Sequence, residues 1–233
     1  MPIRRNSLYI PCSIPCRIPC SIVFPTQPID LSPSMFAAPA TVWSILMTNH
    51  YIILGLSDGT IETYRLKENK LFKTGSLETN KSGICHLLTT PSGVIAINLF
   101  AEIYFLDFHA DTLAIQHYIK SGHTHAITCV KLLANQLVTG STDETIRVIS
   151  IEKGRIVHVL KGHLFPITAL GLCKNGKGQS DAKVMSADES GEIRLWTLTS
   201  GRCQFILREK FENDIDSIRL TQRTGFCISR CSL

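Results

Sequence analysis

The chain has 233 residues, 44% of them hydrophobic, enough to bury a real core as one large all-β domain or two smaller ones. Its 24 lysines and arginines against 19 aspartates and glutamates give +5, spread along the chain rather than gathered into a basic arm, so nucleic acid is permitted as a partner but not indicated. No run reaches the ~18 uninterrupted apolar residues of a membrane helix, and Pro11, Pro15 and Pro19 break the apolar core that a secretory signal needs, so neither a membrane partner nor export is expected.

Residues 1–40 differ in kind from the rest. The stretch PCSIPCRIPCSI repeats Pro-Cys, and further prolines follow at 25, 28, 33 and 39. This composition predicts a disordered, low-complexity tail. Cys12, Cys16 and Cys20 invite a metal reading, but a structural zinc site needs four ligands, no second cysteine pair is evident, and proline before each cysteine splays the thiols along extended backbone. No metal and no cofactor is expected. The nine cysteines are odd in number, and Cys85, Cys129, Cys173, Cys203, Cys227 and Cys231 fall in or beside apolar strand-like runs. They read as reduced thiols of an intracellular protein, in cytoplasm or nucleus.

From residue 41 the sequence alternates with the period of two expected of strands, punctuated by Gly, Asn, Asp and Ser clusters. Aligning the runs on one isoleucine (Ile61, Ile103, Ile146, Ile193) exposes a repeat of roughly 42 to 47 residues. The third repeat reads as AITCVKLL, QLVTGS, TIRVISI and IVHVLKG, four short strands joined by turns, and the fourth copies it as ITALGLC, KVMSAD, EIRLWTL and CQFILR. Gly-His pairs open both repeats, at Gly122-His123 and Gly162-His163.

In the Gly-His pair, the Ser and Asp around a strand turn and the Trp closing a third strand, the chain resembles the WD-repeat family of β-propellers. The resemblance implies an all-β propeller of four-stranded blades, with repeats at 41–80, 81–121, 122–161 and 162–208 and a partial one at 213–233. The first two repeats are degenerate and lack the Gly-His pair. About four and a half blades are fewer than a closed ring uses, so the propeller is expected to be incomplete and open, with strand edges that call for an assembly partner.

His123, Ser141 and Asp143 together raise the question of a Ser/His/Asp hydrolase. No G-x-S-x-G motif surrounds Ser141, which ends a strand among apolar neighbours, so a catalytic role and an enzyme are not expected. The resemblance implies instead a structural network in which His, Ser or Thr, Asp and Trp pin the loop before the first strand to the turn between the second and third. Its members here would be His123, Ser141 and Asp143 in the third repeat and His163, Asp188, Ser190 and Trp196 in the fourth. Two departures stand out. Ile149 replaces the third repeat's Trp, and in the fourth repeat Asp188 aligns with the serine position and Ser190 with the aspartate position, as if the two had exchanged roles. Either could partner His163.

Propellers that resemble this one serve as rigid platforms for other proteins, so the expected function is a non-catalytic protein-binding scaffold that takes a partner protein or peptide on its loop face. His125, Thr142, Phe165 and Glu189 are the candidate contacts. Phe165, beside Pro166, either anchors a partner or covers its own blade. The insertion KNGKGQSD at 174–181 falls on the opposite face. Alternatives are a substrate-recognition subunit of a cullin-type ubiquitin ligase, against which the missing Trp-Asp-x-Arg counts, and an RNA-associated ribosome-assembly or processing factor, which would want clustered bases with aromatics.

Overall fold

The computed structural model describes residues 40–67, 70–109, 111–173, 182–208, 215–221 and 225–230. The Pro-Cys stretch and the 174–181 insertion lie outside them. The central strands β2 (Tyr51–Leu56), β6 (Val94–Asn98), β10 (Gln136–Ser141) and β14 (Lys183–Asp188) are short, almost wholly apolar or small, and almost entirely buried. Such runs need cover on both faces.

That cover comes from stacking. β1 (Val42–Met47), β2, β3 (Thr60–Lys67) and β4 (Lys70–Glu78) form one antiparallel sheet in chain order. β5 (Ile84–Thr89), β6, β7 (Glu102–His109) and β8 (Thr112–Lys120) form the second, and β9 (Ile127–Leu133), β10, β11 (Ile146–Ser150) and β12 (Arg155–Leu160) the third. The fourth comprises β13 (Ile167–Cys173), β14, β15 (Glu192–Thr197) and β16 (Cys203–Arg208). The core lies between sheets: Ile53 and Ile61 of the first pack with Ile84, Ala96 and Tyr104 of the second, and Val138, Ile146 and Val148 of the third with Ile167 and Val184 of the fourth. Each fully buried aliphatic chain contributes about 1.5–3 kcal/mol. The four marker isoleucines, Ile61, Ile103, Ile146 and Ile193, are all fully buried, which is why they mark the repeat.

A two-stranded sheet, β17 (Ile215–Thr221) with β18 (Gly225–Arg230), follows, and β17 packs on β13. Among the described residues neither strand packs on β1 or β2 in the way that consecutive blades pack on one another, so these blades form an open series rather than a closed ring. Among the described residues no helix is long and apolar enough to cross a membrane.

The innermost strand of each blade, β1, β5, β9 and β13, is irregular near its start. The break lets one side chain reach sideways to the next blade: Ser44 Oγ donates to the Ile84 carbonyl at 2.7 Å, His86 Nε2 to that of Ile127 at 2.9 Å, and Thr128 Oγ to that of Ile167 at 2.5 Å. The acceptor is each time the first residue of the next inner strand. Consecutive blades are thus latched in register as well as packed.

Candidate functional site: the pinned loop end

All four sheets present the same kind of end. The turn between second and third strands donates to the loop before the first strand through Ser57 N to Thr41 O (2.9 Å), Leu99 N to Gly83 O (2.9 Å), Thr142 N to Ala126 O (3.1 Å) and Glu189 N to Pro166 O (3.0 Å). In the third and fourth blades a buried histidine reinforces that seam. His163 Nδ1–H donates to Asp188 Oδ2 at 2.7 Å, and its Nε2 accepts from Ser186 Oγ at 2.7 Å, while Trp196 Nε1–H donates to the same serine oxygen at 2.8 Å. Every donor in this series finds one acceptor, which assigns a neutral imidazole protonated on Nδ1. Burial pushes His163 below its ordinary range, against the opposing pull of Asp188, in agreement with that neutral form.

In the third blade His123 bonds Asp143 Oδ2 at 2.8 Å through Nδ1 and Thr139 Oγ at 2.9 Å through Nε2. Burial works to raise Asp143, but donors from Thr145, His123 and the Thr124 amide prevail and hold its carboxyl at about 2. Burial likewise lowers His123. The glycine of each Gly-His pair is required by the backbone more than by space. Gly122 and Gly162 have φ of 78° and 144°, and a Cβ there would collide with the guanidinium of Arg147 or Arg194 beneath the loop.

One expectation is corrected and another is met in part. Ser141 is not the hydroxyl that meets His123; Thr139 is. Ser141 Oγ donates to the Ala126 carbonyl at 2.8 Å and accepts the Asp143 amide at 3.1 Å, so it ties the turn to the loop by a separate route. The exchange expected in the fourth blade is met on Asp188's side: from the position of Ser141 it bonds the histidine as Asp143 does in the third blade, so of the two candidates it is Asp188 that partners His163, while Ser186 supplies the hydroxyl and Ser190 Oγ donates to Asp188 Oδ1 at 2.6 Å. Thr139 and Ser186 stand at one spacing before Ile146 and Ile193, but so do Ser141 and Asp188, and the isoleucine alignment alone does not choose between the two pairs.

Chemically, hydroxyl–imidazole–carboxylate is the wiring of a hydrolytic triad, but Thr139 and Ser186 are fully buried and no substrate carbonyl can reach them. His163, Asp188 and Glu192 offer ligand atoms within 4.8 Å of one another, a spacing that could hold a metal ion. The donors are otherwise engaged: Asp188 accepts from His163 and Ser190, and Glu192 from Arg194 Nε (2.5 Å) and Arg208 Nε (2.7 Å).

The first two blades use other means. In the second, Glu102 accepts from Asn98, Asn80 and Tyr104, which fixes the turn without histidine. The turn tip is thereby released from structural duty and bears Leu99 and Phe100, the latter 72% exposed. These two, with His123, Thr124, His125 and Ala126, line a cavity of about 290 Å³. In the fourth blade Leu164 and Phe165 are exposed, Phe165 by 48%, so Phe165 does not simply cover its own blade. His125 and Glu189 are exposed at this end too, whereas Thr142 is half-buried. Leu99, Phe100 and Leu164 escaped sequence reasoning because an apolar turn residue looks like a strand residue until the register is known.

The family model "WD domain, G-beta repeat" matches residues 115–150. Among curated proteins, sterol regulatory element-binding protein cleavage-activating protein of Xenopus laevis is 25% identical over 70% of this chain and 14% of its own length. WD repeat-containing protein pop2 of Schizosaccharomyces pombe is 43% identical over 21% of this chain and 7% of its own. F-box/WD repeat-containing protein sel-10 of Caenorhabditis elegans is 33% identical over 24% and 10%. The chain thus spans only a small part of these relatives' length. A chain of the crystal structure of the mitotic checkpoint complex superposes with a TM-score of 0.67 at 13% identity, covering 82% of this chain and 58% of that one.

Proposed function

The chain is a WD-repeat protein of β-propeller fold, and we propose that it is a non-catalytic scaffold that binds a partner protein or peptide on the pinned loop end. WD-repeat proteins act as protein-interaction scaffolds; the finer reading rests on one observation. Leu99, Phe100, Leu164 and Phe165 project from loops of that end, large apolar side chains exposed at 43%, 72%, 75% and 48% on turns whose backbone is held rigid. A rigid loop loses little entropy on binding, and exposed aromatics are the side chains that anchor interfaces. Phe165→Ala and Glu189→Lys are expected to reduce the partner recovered with the full chain while leaving its melting temperature unchanged. Full recovery with both substitutions would remove this reading.

Substrate recognition within a cullin-type ubiquitin ligase is a second reading, supported by the likeness to an F-box/WD repeat-containing protein. It calls for a cullin among the co-purified proteins. RNA association would instead show as binding that falls steeply with salt. An intracellular setting belongs to the proposal and rests on cysteine usage alone.

A further inference from the structure

One place at the pinned loop end is filled differently from blade to blade. In the fourth blade Glu192 stands just before the marker Ile193 and joins two bases. Arg194, two residues on, donates to it from Nε at 2.5 Å, and Arg208, opposite on β16, donates from Nε at 2.7 Å. In the second blade Glu102 stands just before Ile103, the Tyr104 hydroxyl donates to it at 2.8 Å, and Lys120 lies opposite on β8. In the first blade the place belongs to Thr60, and Glu62 and Glu78 hold the positions of the two donors. Bases thus accompany the carboxylate in the second and fourth blades and are missing with it in the first.

The third blade keeps the bases and lacks the acid. Arg147 follows the marker Ile146 as Arg194 follows Ile193, and Lys161 comes one residue after Leu160, the partner of Ile146, as Arg208 comes after Leu207. Between them stands Thr145, whose hydroxyl is turned away to Asp143 Oδ1 at 2.6 Å. Arg147 uses Nη1 on the Ser121 carbonyl at 3.1 Å, but its Nε is buried and has no acceptor. Among the described residues neither Arg147 nor Lys161 forms a salt bridge. A buried donor on a charged group is costly to leave unpaired, so this place is built for an acceptor that the blade does not itself provide. Lys161 is exposed, which leaves the place open on that side.

We propose that the third blade takes up an aspartate or glutamate side chain of a partner protein at this place, its carboxylate standing between Arg147 Nε and Lys161 Nζ as Glu192 stands between Arg194 and Arg208. The fourth blade shows that a carboxylate fits beside the blade's own aspartate: the Glu192 amide donates to Asp188 Oδ1 at 3.1 Å, and its side chain remains there, 13% exposed. A doubly charged phosphate would meet stronger repulsion from Asp143, so the carboxylate is the anion of choice. The inference rests on the reading of the loop end as a docking surface and gives the partner its chemistry on that surface.

The test uses the full chain and a random peptide display library as the probe. Enriched peptides are expected to share an Asp or Glu, and changing that residue to its amide should weaken binding about tenfold or more. Thr145→Glu supplies the missing carboxylate from within the chain and Lys161→Glu reverses one of the two bases, so each should weaken the same peptides to a similar degree. Lys153→Glu, an equal change of charge at the other end of the blade, should leave them bound. If Thr145→Glu fails to fold for want of the hydroxyl on Asp143, Lys161→Glu and the amide peptides carry the test. The proposal is overturned if no peptide is enriched, if the enriched peptides lack a required acidic residue, or if Lys161→Glu weakens them no more than Lys153→Glu. Peptides lost only in the variant carrying Phe165→Ala and Glu189→Lys would remove this site and leave the scaffold reading standing; peptides lost only in Thr145→Glu and Lys161→Glu would uphold the site and remove the fourth blade's contacts.

Discussion

Ser186 holds the fourth blade's polar core with a single oxygen, which accepts from Trp196 and donates to His163. Ser186→Ala should therefore leave two buried groups unpaired and cost about 2–6 kcal/mol, each unmade bond contributing ~1–3 kcal/mol. Thr139→Val removes one partner only, because Ile149 supplies no indole, and should cost about half as much in the same denaturant titration. Both histidines have folded-state pKa values below the unfolded one, with burial the leading cause. Their contribution is thus fully present above about pH 6.5 and is lost as pH falls through the lower folded values. Asp143, depressed to about 2, contributes above its unfolded value and loses that only in stronger acid. Melting temperature should therefore drop between pH 7.5 and 5.5; an unchanged value would contradict neutral buried imidazoles. The histidines and Asp143 were legible in the sequence, whereas Thr139 and Ser186 were not. Residues two apart on a strand share a face, so spacing alone offers Ser141 and Asp188 equally well.

At the level of the blade, strand order and the buried isoleucines could be read from periodicity, because each blade repeats one hydrophobic pattern and stacking buries both faces. The irregular inner strands could not. Nothing in the letters Ser44, His86 and Thr128 announces that all three reach into the next blade, since the latch arises from a local break in pairing. Thr128→Val keeps the shape and removes the hydroxyl, and is expected to lower stability by about 1 kcal/mol. By comparison Ile146→Ala, at the fully buried marker position, should cost about 2–5 kcal/mol. Comparable losses for the two would mean that packing between blades matters less than the geometry implies. Gly162→Ala tests the loop itself, because the new methyl must displace Arg194 and adopt an unfavourable φ; a fully stable variant would show that the loop is not pinned as described.

For the molecule as a whole, the propeller was legible because the repeat multiplies a weak signal, and the third and fourth blades kept its polar signature. The loop chemistry of the first two blades was hidden for the converse reason. Once Asn98 and Glu102 replaced the histidine network, the turn lost its motif and Leu99 and Phe100 passed as strand residues. What these blades share is one rigid end carrying exposed apolar side chains, and the central claim is that partners dock there. Lysines report on it directly, since Lys81 and Lys161 lie in loops of that end, whereas Lys153 and Lys183 lie at the other. Cross-linking mass spectrometry of the full chain with its co-purified partners should find intermolecular links concentrated on Lys81 and Lys161, and should lose them in the variant carrying Phe165→Ala and Glu189→Lys. Links concentrated on Lys153 and Lys183, and untouched by those substitutions, would contradict it.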